Sequence, residues 1–215
     1  MLDLTDNIWA FFWVTVAISL TGVLTPGPVF AATVAKGYKD ESAGLKIALG
    51  HGLVEFPLIA LIVFSLDYAE QVFTNDYVKL GIGLVAGTLL VFMGVGMIRS
   101  RKTVAEKGLE HVPENSILAG ALTTSANPYF LLWWVTVGAT LIASAQLFGA
   151  LVVVIFAVVH WSCDLGWYTF TGFAVYRSKR LWTPVVHEIV FGLCGALMIG
   201  FGVYFAVGPA VEITS

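Results

Sequence analysis

The chain has 215 residues, of which 58% are hydrophobic and 12% charged, with a net charge of −3 and a mean hydropathy of +0.88. A soluble domain carries about 25% charged residues, so a soluble globular fold is excluded. The basic residues are split among separate gaps rather than gathered on one face, which argues against a nucleic-acid partner.

The N-terminus carries Asp3 and Asp6 and no basic residue before Asn7. It lacks the positive n-region of a secretory signal, so the first apolar run is expected to be retained. Six runs reach the about 20 apolar residues that a spanning helix needs. They cover 8–35, 44–66, 78–98, 117–143, 147–176 and 185–207. All are continuously apolar and far longer than the about ten alternating residues of a barrel strand. The expected fold is an all-α membrane protein, one transmembrane domain over 1–215 with six transmembrane helices.

The gaps between the runs differ in charge. Lys36, Lys39 and Lys46 lie at the first; Arg99, Arg101, Lys102 and Lys107 at the third; Arg177, Lys179 and Arg180 at the fifth, with Lys79 the one exception. Basic residues beside spans mark the cytoplasmic side. That predicts a multi-pass protein of the cell membrane with both termini outside the cytoplasm. The stretch 67–76 is then a short outside loop. The polar stretch 99–116, with Pro113 and His111, is the cytoplasmic linker between halves covering about 1–98 and 117–215. The connection at 143–146 is very short and makes spans four and five antiparallel neighbours.

The two halves share motifs. Thr25-Pro26-Gly27-Pro28-Val29-Phe30 in span one matches Ser125-Ala126-Asn127-Pro128-Tyr129-Phe130 in span four, with both Pro28 and Phe30 offset by 100. His51 and Glu55 in span two match His160 and Asp164 in span five, each offset by 109. Three spans per half would invert one half against the other. The sequence thus predicts an inverted 3+3 repeat with helices 1 and 4 broken at proline, a common transporter plan.

Prolines remove backbone donors and disfavour helix before them. Carbonyls freed at membrane depth must find partners in protein or water. Pro26, Gly27, Pro28, Asn127 and Pro128 are therefore candidates for a cavity-lining break, against the plainer reading of a structural kink. Residues four apart share a helix face, and a charge at membrane depth costs about 2.5–3.5 kcal/mol on insertion scales. His51, Glu55, His160 and Asp164 are therefore the leading site candidates, as a proton relay or a seat for a substrate ammonium; the bland alternative is two buried structural pairs. The same four groups also suit a divalent cation, although no spacing holds them at ligand distance and no resident metal is assigned.

Trp133, Trp134, Trp161 and Trp167 lie near these motifs, and Trp161, beside His160, is the candidate among them for shaping a pocket. Trp9, Trp13 and Trp182 suit an interfacial belt. His187 and Glu188 touch the start of span six and suit an interfacial position. Gly81, Gly83, Gly87, Gly94 and Gly96 in span three, and Gly192, Gly195, Gly200 and Gly202 in span six, suit close helix packing within the monomer or in a homodimer. They are not phosphate loops. Cys163 and Cys194 have no CxxC partner and suit small apolar packing positions. No nucleophile elbow or HExxH is present, so the sequence asks for neither an enzyme nor a cofactor.

Leu24-Thr25-Pro26-Gly27-Pro28, followed by Gly37, Gly44 and Gly50-His51-Gly52, resembles the lysine exporter (LysE/RhtB) family of amino-acid exporters. Asn127-Pro128, the length and the six-span pattern resemble it too, over essentially the whole chain. The resemblance implies export of amino acids or similar small solutes from the cytoplasm by proton antiport, with substrate, protons and membrane lipid as partners. It also implies an inverted repeat with Pro26, Gly27, Pro28, Asn127 and Pro128 in the gating or binding region. The wider superfamily includes metal-ion and thiol-redox transporters; no cysteine stands near either proline break. Two alternatives remain open from sequence: a divalent metal-cation exporter using the same four polar residues, and a non-transporting membrane subunit.

Overall fold

The computed structural model describes residues 7–25, 27–73, 76–107, 113–178, 180–181 and 183–214. Among them it contains helices and no strand. The first span is two helices, α1 (Ile8–Val23) and α2 (Pro28–Gly37), which diverge by 74°. α3 (Ala43–Phe73) and α4 (Asp76–Lys107) complete the first half. The fourth span is again interrupted: α5 (Ser116–Ser125), then α6 (Pro128–Trp133), a π-helical turn (Trp134–Gly138) and α7 (Ala139–Gln146). α8 (Ala150–Arg177) and α9 (Pro184–Thr214) follow. Among the described residues, five helical stretches are long and apolar enough to cross a membrane, counting Pro128–Gln146 as one, and six spans result if the α1–α2 pair also counts as one. The exposed residues are large and apolar, with Trp13 75%, Phe64 86% and Phe92 77% accessible, as expected of a surface solvated by lipid tails.

Local chemistry explains the helix starts. Asn7, Asn115 and Asn127 each present a side-chain oxygen to the first free amides of α1, α5 and α6, the standard duty of an N-cap asparagine. Pro28 and Pro128 each open a helix at the position where the missing N–H costs nothing. The chain turns between α7 and α8 at Gly149, whose φ of 102° favours glycine.

Several boundaries differ from expectation. The stretch 67–76, expected as a loop, is helical through Phe73 and again from Asp76, and Thr74 and Asn75 lie outside the described residues. The linker expected to begin at 99 is helical to Lys107. In both places charged residues extend a helix beyond its apolar stretch, since backbone hydrogen bonding does not stop where hydropathy does. Pro26, His111 and Trp182 lie outside the described residues, as does the side chain of Lys79.

α3 and α8 cross at the centre. α3 packs on α5 of the other half, as α8 packs on α1 and α2. α4 and α9 pair with each other far more extensively than with anything else; α4 also touches α6 and α3, and Phe191 of α9 packs against Ala31 and Val34 of α2 and Val175 of α8. Glycines permit that pairing. A Cβ at Gly94 would lie 2.6 Å from the Gly195 carbonyl oxygen, and one at Gly195 would lie 2.7 Å from that of Gly94. Gly87 and Gly202 repeat the arrangement seven residues away on each helix. The predicted glycine faces of spans three and six are thus partly spent on each other, through Gly87, Gly94, Gly195 and Gly202.

The basic gaps meet at one end. Lys36 Nζ donates to the Glu114 carbonyl at 3.2 Å, and Arg177 lies 3.6 Å from Glu41. Ahead of α3, Asp40 accepts from the Ser42 amide (2.9 Å), the Ser42 hydroxyl (2.8 Å) and Lys46 Nζ (2.7 Å). The Lys46 and Ser42 hydrogen bonds hold the Asp40 carboxyl down to about 2. A depressed carboxyl contributes stability above the pH at which the free group ionises, near 4, and loses it as pH falls through about 2. Because the pair is largely solvated, Asp40→Asn should lower stability near neutrality by about 0.5 kcal/mol or less. Thermal melts in detergent across pH should show that difference disappear in acid.

Candidate functional site

The two i,i+4 pairs expected from sequence meet at the α3–α8 crossing. His51 Nε2 lies 3.1 Å from Glu55 Oε1, and His160 Nε2 lies 3.2 Å from the same oxygen. Asp164 faces both rings, at 3.5 Å from His51 Nε2 and 3.6 Å from His160 Nε2. All four side chains are buried. Glu55 is the hub, because Trp134 Nε1 also donates to Oε1 at 3.2 Å. Glu55 Oε2 and Asp164 Oδ2 are buried and have no hydrogen-bond partner.

The outer nitrogen of each imidazole is held crosswise. His51 Nδ1 pairs with Thr124 Oγ1 of α5 at 2.8 Å, and His160 Nδ1 pairs with Ser19 Oγ of α1 at 2.7 Å. A ring Nε2–H turned to a carboxylate donates. Nδ1 then accepts from the hydroxyl in the neutral ring and donates to it in the imidazolium. A hydroxyl serves either role, so each ring can change charge without leaving a buried group unpaired. Aromatic faces enclose the rings: Trp133 stacks on His160 at 4.8 Å, Trp134 meets it edge-on at 4.9 Å, and Phe130 and Tyr168 stand 5.2 and 5.8 Å from His51.

The two helix breaks face each other beside this cluster. A Cβ at Gly27 would stand 3.7 Å from Asn127 Nδ2, and Thr25 Oγ1 donates to the Tyr129 hydroxyl at 3.3 Å. Asn127 Oδ1 accepts from the Tyr129 amide at 3.1 Å, which fixes the side chain at the start of α6. A cavity of about 50 Å³ separates the breaks from the cluster. One water needs about 10–15 Å³ in this measure, so the space holds roughly four waters or a small polar group. Gly27, Thr25 and Asn127 line one side; His51, Glu55, His160 and Asp164 line the other.

Most of the residues expected at the site are therefore brought together, and Gly27 and Asn127 line the cavity directly. Pro28 and Pro128 act behind it by opening α2 and α6. Pro26 lies outside the described residues. Trp161 is not among the described residues that line the cavity. Its Nε1 donates to the Ala48 carbonyl at 3.2 Å, and its ring lies against Gly52 and Phe56. Adjacent helical residues point about 100° apart, so the face that turns His160 inward turns Trp161 aside. Ser19, Thr124 and Trp134 were missed as partners of the cluster. Thr124 and Trp134 stand close to the proline break, whereas no local signal marks Ser19.

His51, Glu55 and Asp164 each offer one ligand atom, and these atoms lie within 4.8 Å of one another. A cation could be held there as cargo. With both outer imidazole nitrogens tied to hydroxyls, the inner nitrogens are oriented as ligating histidines usually are.

No curated protein and no solved structure gives a match. The family description "LysE type translocator" matches residues 20–208, from the end of α1 to α9 and across both breaks and all four buried polar residues. A match over that length shows that the chain belongs to the LysE type translocator family.

Proposed function

We propose that this protein is a secondary transporter that exports amino acids or similar small solutes from the cytoplasm by proton antiport and alternating access. Membership of a translocator family supports the transport class. The observation that carries the mechanism is the convergence of His51, Glu55, His160 and Asp164, two from each half, at 3.1–3.6 Å in a buried site beside two broken helices. The contacts of α3 with α5, and of α8 with α1 and α2, support the inverted repeat on which alternating access would turn.

Charge balance supplies the coupling. Two carboxylates in a low-dielectric site are neutral only with two positive charges beside them. Protons on the imidazoles provide both. When a substrate ammonium from the cytoplasm approaches Glu55 and Asp164, it replaces one, and that proton leaves to the cytoplasm; once the site faces outward, a proton from outside takes the place of the departing substrate. Proton and substrate thus compete for one buried anionic centre, which provides the differential affinity that alternating access requires. The breaks at Gly27 and Asn127 would offer Asn127, Thr25 and free backbone groups to the substrate carboxylate. The basic ends of the helices would lie in the cytoplasm and both termini outside it.

A divalent cation is the second reading, favoured by the spacing of the His51, Glu55 and Asp164 ligand atoms. Counterflow in liposomes containing the purified protein separates the two. Labelled amino acids and one divalent metal are offered outside, against the same solute inside. Exchange of an amino acid, lost in the Glu55→Gln, Asp164→Asn double mutant, is the expected result. Metal exchange alone would replace it with the cation reading, and exchange of neither would sink both.

A further inference from the structure

The walls of the cavity carry the exporter reading one step further, to its substrate class, and the step rests on that reading. We propose that the exported solute is an amino acid with an uncharged, apolar side chain, selected by Leu90, Met198 and Phe201. The cavity has one charged pole, formed by the Glu55 and Asp164 carboxylates with their two histidines. Glu55 Oε2 and Asp164 Oδ2 are the unpartnered buried atoms at that pole. The facing breaks form a second pole, polar but uncharged, through Thr25, Gly27 and Asn127. A zwitterionic backbone spans such a pair, with its ammonium at the carboxylates and its carboxylate at the breaks. The side chain is then left to the third wall.

That wall comes from the α4–α9 pair and is apolar. Leu90 is 1% and Met198 2% exposed, and the Phe201 ring lies tilted against Tyr129 at 5.9 Å. No charged residue of α4 or α9 is among the described residues that line the cavity. The nearest basic residue on α4, Arg99, stands nine positions beyond Leu90, which is about 13 Å along a helix. A side-chain ammonium or carboxylate placed there has no counter-charge. An unpaired charge in an apolar environment at membrane depth costs enough to lower affinity on the order of a hundredfold. The cavity's small volume, about 50 Å³, further favours compact side chains.

Proteoliposomes preloaded with unlabelled leucine, alanine, lysine or glutamate and offered the same labelled amino acid outside test this. Leucine or alanine should exchange at least roughly tenfold faster than lysine and glutamate. Leu90→Asp or Met198→Glu, each placing a carboxylate on the third wall, should raise lysine exchange relative to leucine by a similar factor. Lysine exchange equal to leucine in the unmodified protein would overturn the proposal and leave the exporter reading intact. No exchange of any amino acid would instead overturn the exporter reading beneath it. If neither wall variant folds, the selectivity of the unmodified protein still decides.

Discussion

Glu55→Gln is expected to abolish proton-driven efflux in a protein that still folds. Glu55 Oε1 lies within 3.1–3.2 Å of both imidazole Nε2 atoms and of the Trp134 indole N–H. Glutamine keeps the shape and one acceptor oxygen, so the packing of α3 on α8 and α5 survives. It removes one of two negative charges, leaving Asp164 alone to balance two imidazoles. The site then balances one proton rather than two, and it loses the carboxylate nearest both rings, so proton and substrate ammonium no longer share a centre at which to compete. With the shared carboxylate gone, coupled flux should fall by more than about a hundredfold, the equivalent of about 2.7 kcal/mol. The measurement is solute efflux driven by an imposed pH gradient, alongside size-exclusion elution and melting temperature. Coupled efflux at the normal rate in a folded Glu55→Gln protein would remove Glu55 from the mechanism. Asp164→Asn should impair coupling less, because Asp164 stands farther from both rings, at 3.5 and 3.6 Å.

Gly50→Ala is expected to be, with Gly44→Ala, among the most damaging small substitutions at the described glycines. A Cβ at Gly50 would overlap the Ile117 carbonyl oxygen and stand 2.8 Å from the Ile117 carbonyl carbon and 2.9 Å from the Ala121 amide nitrogen. These are backbone atoms, which cannot rotate away. Gly120 meets the Ile47 backbone in the same manner from the other side. α3 and α5 must therefore separate to admit one methyl group. Overpacking of this kind costs about 1–3 kcal/mol and sometimes more. The same contact seats His51 against Thr124 at 2.8 Å, so transport should fall with stability. Gly81→Ala and Gly200→Ala are the controls, since a Cβ at either meets nothing within 4 Å. Both should melt at or slightly above the unmodified protein, because alanine favours helix over glycine by about 0.8–1 kcal/mol. A Gly50→Ala protein melting with the controls would show that α3 and α5 do not approach as closely as described.

The sequence by itself determined the class of protein and its most expensive residues. Continuous apolar runs can only be helices in a bilayer, where every backbone group must be satisfied within its own segment. Four ionisable side chains in those runs had to face inward for the same reason, and their i,i+4 spacing placed each histidine on its acid's face. Prolines at 28 and 128 announced the breaks, because the ring cannot follow a helical residue without cost. Helix ends were less legible: charged stretches at 67–73 and 99–107 look like loops by hydropathy yet continue α3 and α4.

Only the tertiary structure decided how the pieces meet. Sequence paired His51 with Glu55 and His160 with Asp164, whereas the fold gives Glu55 to both histidines. The hydroxyl partners are 73 and 141 residues away in the chain, and serine and threonine are too common in membrane helices to be picked out unaided. Trp134, rather than the expected Trp161, reaches the cluster, because the direction of an indole depends on helix rotation and, here, on a π turn packed over Gly138. Periodicity reveals what must be buried, since that is an energy per residue. Which buried groups share a site depends on how helices cross, and that is set by close contacts between residues distant in the chain.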